Sequence, residues 1–328
     1  MRASKSSISI LFATMVIVMI GFGIAIPLMP YYITHFQASG TALGLMMSLY
    51  SLMQFIFAPL WGQFSDRVGR KPVLLIGIAG YFIAFMLQGL SQNLFQFIAA
   101  RILAGVLSSA TLPTAMAFIA DTTTPENRSK GVGMMGAAMG LGMIIGPVLG
   151  GLLTKIQLAL PAGLSTLLQT TLDPSSGAVV NLSIPFFASA LLALLALPFA
   201  YLLLPESLPP QARGHAARVN GSRLGALAAG LRGPAGFLFV MAFLLAFALA
   251  NLESVLGLYG QSRFNLGPAE FGLLMGAMGV LSVIMQGVLI GPITRRIGEV
   301  NVLKSGLVVS LLGLIGLALA PLKGLMVA

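Results

Sequence analysis

The 328-residue chain contains no cysteine, and Asp, Glu, Lys and Arg together make up only 8% of it. Without cysteine there can be no disulfide, thiol nucleophile or thiolate metal site. The only two histidines, His35 and His215, fall in loops. No apolar segment carries a cluster of metal ligands, a catalytic triad or a glycine-rich phosphate loop. The sequence therefore predicts neither an enzyme nor a resident metal or cofactor. A water-soluble domain carries about 25% charged residues. Here 57% of residues are hydrophobic and mean hydropathy is +0.97, which puts most of the surface outside water. Strict alternation over short segments, the mark of a membrane β-barrel, is also missing. What recurs instead is apolar runs of about 20 residues, enough for a helix to cross roughly 30 Å of hydrocarbon. The first run, Ile8 to Pro30, is too long for a signal-peptide core and lacks a small-residue cleavage site, so it reads as a retained span.

Nine spans are predicted, over 8–30, 41–61, 72–91, 94–119, 131–154, 183–204, 235–259, 270–293 and 301–321. With the N-terminus on the cytoplasmic side, fourteen of the eighteen Lys and Arg residues fall inside. Only Lys155, Arg263 and Lys323 fall outside, and Arg101 lies within a span. That asymmetry sets the expected orientation, and it accounts for the net charge of +10 better than a nucleic-acid partner does. Residues 205–234, rich in Pro, Gly and Arg, read as a cytoplasmic linker. The expected organisation is a six-helix N-terminal bundle over 1–204, the linker over 205–234, and a partial C-terminal bundle over 235–328. A weak internal repeat supports this plan. Shifting by 229 residues lays Gly291, Arg296 and Gly298 over Gly62, Arg67 and Gly69, each time between the second and third spans of a group. A second set of six spans would be expected after the linker, so the C-terminal bundle is predicted to be incomplete.

The hairpin Gly62-Gln63-Phe64-Ser65-Asp66-Arg67-Val68-Gly69-Arg70-Lys71 is the most polar connection between long apolar runs. Gly62 permits close helix approach, and Gly69 supplies a turn conformation open to few other residues. Asp66 can pair with Arg70 and accept from a neighbouring helix N-terminus. Arg67 and Lys71 can hold lipid phosphates or a partner carboxylate. Further along, Gly142, Gly146 and Gly150 recur every four residues, a flat stripe where another helix can approach. Arg101 is the only basic residue well inside a span, and Glu253 the only carboxylate. Each costs a few kcal/mol in hydrocarbon, about 3 for an Arg, so each should face a cavity or a partner. Met53, Gln54, Phe57, Asn251 and Gln286 are candidates for a soft, adaptable substrate cavity.

The Gly62, Asp66, Arg67, Gly69, Arg70, Lys71 pattern resembles the signature loop of the major facilitator superfamily. The proline-rich end of the first span, Pro27 to Tyr32, is similar to that of the family's drug exporters. Arg101-Ile102-Leu103-Ala104-Gly105 resembles the fourth-span motif R-x-x-x-G. Gly146-Pro147-Val148-Leu149-Gly150-Gly151 resembles the motif that marks its proton antiporters. The surroundings of Glu253 resemble span seven of Gram-positive multidrug and quinolone efflux pumps.

The resemblance implies an all-α integral membrane protein with the major facilitator fold. It also implies export of amphipathic small molecules in exchange for protons by alternating access, powered by the proton gradient with no cofactor. Glu253 and Arg101 would couple protons, and the Gly62–Lys71 stretch would gate the inner side. The expected setting is the plasma (inner) membrane, with small amphipathic substrate, protons and membrane lipid as partners of a monomer. Uptake of a sugar or organic acid remains open, as does a non-transporting truncated product or membrane sensor.

Overall fold

A computed structural model describes residues 5–157, 168–213, 230, 232–233 and 236–319. The remainder of the 205–234 linker lies outside the described residues. Helix α1 (Lys5–Ala25) runs through a 3₁₀ turn at Ile26–Leu28 into α2 (Met29–His35). There follow α3 (Gly40–Val68), α4 (Arg70–Leu90), α5 (Leu94–Ser108), α6 (Thr111–Thr122) and α7 (Pro125–Leu153). A hairpin of β1 (Thr170–Leu172) and β2 (Val179–Asn181) leads to α8 (Ser183–Leu203). Beyond the linker lie α9 (Gly236–Phe264), α10 (Pro268–Ile284), a π turn at Met285–Leu289, α11 (Ile290–Ile297) and α12 (Glu299–Leu319).

Among the described residues, eight helical stretches are long and apolar enough to cross a membrane. The ninth expected span is present as α10, the π turn and α11 in one unbroken run; its most apolar part, α10, has 17 residues. Proline explains two interruptions. Pro27 and Pro30 coincide with the 3₁₀ turn that ends α1. Pro113, in the first turn of α6, has no N–H for the carbonyl of Ser109, and the fourth span breaks at Ser109–Ala110. Side-chain caps start other helices. Asn93 accepts from the Gln96 N–H at 3.0 Å ahead of α5, and Asn181 accepts from Ser183 and Ile184 ahead of α8.

The spans alternate between two ends. At one, the basic end, α3 turns into α4 and α8 stops. At the other, the hairpin end, α2, β1, β2 and the turn from α9 to α10 come together. The core of the first group of helices is aromatic near the hairpin end. The ring of Tyr32 stacks on Phe97 at 4.5 Å and meets Phe186 edge-on at 5.1 Å.

The helices before and after the linker touch mainly through α7 and α10. All the buried residues of α10 lie in its hairpin-end part, Pro268 to Gly276, and α11 buries none. In α9, beyond Gly236 at its first residue, burial begins only at Leu256. The two groups are therefore joined toward the hairpin end and lie apart toward the basic end.

Candidate functional site

At the basic end Gly69 ends α3 with φ +121°, a conformation that a side chain would strain. That sharp stop turns Arg70 back onto α3. Arg70 is 7% exposed and pairs with Asp66 one turn earlier. Its Nε donates to Asp121 Oδ2 at 2.9 Å, and its Nη1 donates to Ser65 Oγ at 2.7 Å. Two carboxylates thus answer the charge of one buried guanidinium and a hydroxyl accepts a further hydrogen bond from it, linking α3, α4 and α6.

Two expectations for this stretch are corrected. Among the described residues Asp66 receives no helix N-terminus; Glu206, just past α8, does. Its Oε1 accepts from the Arg70 N–H at 2.9 Å and its Oε2 from the Lys71 N–H at 3.2 Å. A carboxylate there meets both the orphan donors and the positive end of the α4 dipole. Gly62 makes no close helix approach: a Cβ there would meet nothing within 4 Å. Arg67 is exposed, and the ammonium of Lys71 lies 5.3 Å from the centre of the Tyr201 ring. The repeat is visible in the backbone. Gly298 has φ +79° and donates to Thr294 as Gly69 donates to Ser65, at 2.9 and 3.0 Å. The charge cluster is not repeated: among the described residues, no ion pair forms there.

Arg101 is 3% exposed within the first group of helices. Its guanidinium carbon lies 4.4 Å from the centre of the Tyr50 ring, and Nη2 donates to Met47 Sδ at 3.7 Å. Nε has no partner among the described residues. Among the described residues no carboxylate answers the charge. A desolvated cation–π contact contributes about 2 kcal/mol, which offsets much of the roughly 3 kcal/mol cost of an Arg in a span. The Tyr50 hydroxyl lies 2.9 Å from Gln54 Nε2, which donates to it, and 3.4 Å from Ser108 Oγ.

Glu253 lies on α9, exposed, and the structure does not pair it with Arg101. The five cavity candidates are not gathered into one pocket. Met53 packs beside Gly105 of α5, and Gln54 holds Tyr50. Phe57 is half-buried. Asn251 and Gln286 are exposed, donating to the Phe247 carbonyl and to Ser282 Oγ of their own helices. Two pockets lie beside α9, toward its hairpin end, each lined by Val255 and Tyr259 and by none of the five.

Helix α7 carries two smooth faces. On the first, a Cβ at Gly142 would lie 2.6 Å from the Met19 backbone, one at Gly146 2.6 Å from Gly23 Cα, and one at Gly150 3.1 Å from Ile24 Cα. On the second, Gly151 faces Ala269, and Gly272 sits against the Pro147 carbonyl. The glycine and proline stripe thus serves two partners: α1 within its own group and α10 across the divide. Glu206 was missed by sequence reasoning; its signal was a carboxylate beside Pro205, directly after a span. The hairpin was missed too, although β-branched residues flank the turn sequence at 173–177.

Comparison with known proteins agrees with this architecture. The model of the Major Facilitator Superfamily matches residues 11–328. Multidrug resistance protein 1 of Bacillus subtilis (strain 168) is 29% identical over 94% of this chain and 72% of its own. The class C tetracycline resistance protein of Escherichia coli is 30% identical over 97% of this chain and 74% of its own. A solved bacterial homologue of the human lysosomal transporter Spinster superposes with a TM-score of 0.72 at 18% identity, covering 98% of this chain and 71% of the other. Family-wide sequence match and shared architecture lead to one conclusion: the chain belongs to the Major Facilitator Superfamily.

Proposed function

We propose that this protein is a secondary transporter that exports amphipathic small molecules in exchange for protons by alternating access. The observation that carries the proposal is the way its two groups of helices meet, joined at the hairpin end and apart at the basic end. A cleft open at one end only is what an alternating-access cycle needs in one of its two states. The relatives named for multidrug and tetracycline resistance support the substrate class, and carrying such compounds out of the cell is the direction that would give resistance. Fourteen of the eighteen basic residues fall in segments that the order of the spans assigns to one side, which orients the basic end to the cytoplasm, in the plasma (inner) membrane. The cleft then faces inward, ready to load cargo from the cell.

Glu253 is the carboxylate we assign to coupling, and Arg101 the fixed cation that biases the first group of helices. Each unit charge carried down the membrane potential supplies about 2.3 kcal/mol per 100 mV. Everted membrane vesicles carrying the chain test the proposal. Energising them with a proton gradient should drive uptake of a cationic amphipathic dye together with proton release. Glu253→Gln should remove the dependence on the gradient. Dye uptake that is indifferent to the gradient in the parent would sink the exchange mechanism. Parental coupling in Glu253→Gln would move the role to another group.

A further inference from the structure

The hairpin end is held shut by contacts from several elements, and one comes from a segment that the transport reading leaves unused. The β1–β2 hairpin is anchored to the first group of helices. Gln169, just before β1, is held by His35 at 2.8 Å and donates to Gln92 at 2.9 Å, and its N–H donates to Ser183 Oγ at 2.9 Å. At the other side of the hairpin, the Asn181 N–H donates to the Thr154 carbonyl at 2.7 Å. The tip is stiff as well. Gly177, at φ +69°, closes the turn by donating to the Asp173 carbonyl at 2.8 Å, while Asp173 donates to Ala178 at 2.8 Å.

Asp173 is 4% exposed although it sits on a loop. Its Oδ1 accepts from both the N–H and the hydroxyl of Ser175, which fixes the carboxylate. That carboxylate lies against Gly267, the residue before the first turn of α10. A Cβ on Gly267 would come within 2.6 Å of Asp173 Cγ and 2.7 Å of Oδ2. The contact has two parts. Only glycine leaves room for the carboxylate, and the positive end of α10 attracts both it and the helix's own Glu270, whose Oε2 accepts from the Gly267 N–H at 3.3 Å. Beside it the Tyr31 hydroxyl donates to the Leu266 carbonyl at 2.8 Å, and Gln261 donates to Thr34 at 3.3 Å. Every one of these contacts joins the first group of helices to the second, and all must break for the hairpin end to open.

We propose that Asp173 is a gate residue of the transport cycle: the hairpin is a strut, fixed to the first group of helices, whose carboxylate rests on Gly267 and holds the hairpin end closed. The strut rests on the alternating-access reading for its role in the cycle, but its existence is testable without transport. The chain has no cysteine, so a single introduced thiol reports without background. Leu266, 6% exposed at the gate, is the reporter position, as Leu266→Cys.

Whole cells expressing Leu266→Cys are treated with a membrane-impermeant maleimide, and the labelling rate is measured. Adding Asp173→Asn, which keeps the shape and drops the charge, should raise the rate about two- to tenfold. Adding Gly267→Ala, which intrudes on the carboxylate, should raise it at least as much. Gly133→Ala, where a Cβ meets nothing within 4 Å, should leave it at the parental value. Parental labelling rates in both Asp173→Asn and Gly267→Ala would overturn the strut, as would an increase of the same size in Gly133→Ala. If Gly267→Ala is lost to misfolding, Asp173→Asn alone decides. Failure here leaves the vesicle experiment intact, and failure of dye export leaves the labelling result intact.

Discussion

Gly146→Ala offers a strict test of how α7 is held. The added methyl would lie 2.6 Å from both Cα and C of Gly23 and 2.8 Å from the Ile20 carbonyl oxygen. All three are backbone atoms, so no rotamer change can relieve the clash. Overpacking of this kind costs about 1–3 kcal/mol, and rigid backbone neighbours put Gly146 at the upper end. Replacing a mid-helix glycine by alanine contributes about 1 kcal/mol in the other direction. The net expectation is a loss of about 2 kcal/mol. Gly136→Ala in the same helix receives the gain without the clash, because its Cβ would meet nothing within 4 Å. The two variants should therefore differ by about 3 kcal/mol with opposite signs. At about 2 °C per kcal/mol for a chain of this size, that is a gap of about 6 °C in the melting midpoint. Scanning fluorimetry of the detergent-purified protein measures it directly. Midpoints that move the same way in both variants would refute the close approach of α1 and α7.

Two further outcomes follow from the same geometry. Gly69→Ala and Gly298→Ala should both lower the melting midpoint, since each sits at a positive φ that costs a side chain about 1–3 kcal/mol. Gly69→Ala should lower it more, because its methyl meets the Glu206 carboxylate while that of Gly298 meets open space; equal losses would contradict the capping role of Glu206. Thr111→Val and Thr114→Val should each raise the midpoint, by the equivalent of about 1 kcal/mol. Both hydroxyls are fully buried and lack a partner among the described residues, and burying an unmade hydrogen bond is costly.

The parts legible in the sequence were those with local causes. Apolar runs of helical length gave the spans, and Pro27 and Pro30 marked where the first would break. The glycine spacing at 142, 146 and 150 announced a smooth helix face. Gly69 predicted its own unusual turn, and Asp66 its pair with Arg70. The rest depended on which distant segments meet. Nothing in the local pattern says that Glu206 returns to the start of α4, some 135 residues earlier in the chain. The second partner of α7 could not be read from one stripe, because Gly151 and Pro147 face α10 only by virtue of how the groups are arranged. Arg101 was recognised as needing company, but its company is the Tyr50 ring, and periodicity does not distinguish an aromatic partner from a carboxylate. Nor does the local pattern say that the amides of Asn251 and Gln286 bond within their own helices.

The second face of α7 has a mechanical consequence. Gly272 of α10 meets the Pro147 carbonyl and Gly151, backbone against backbone, while Gly276 and Gly279 leave notches that the side chains of Val148 and Ile144 fill. Ordinary helix pairs resist rolling because knobs must lift out of holes. Where Gly272 lies on Gly151 there is little to lift, so that end of the contact behaves as a plain bearing, and at Gly276 and Gly279 only single branched side chains sit in shallow notches. The α1 side of α7 is just as close, but α1 also packs along α8, which fastens it within the first group of helices. Tilting one group of helices against the other therefore concentrates at the α7–α10 surface, and a single larger side chain there, such as Gly276→Leu, would act as a brake on the motion.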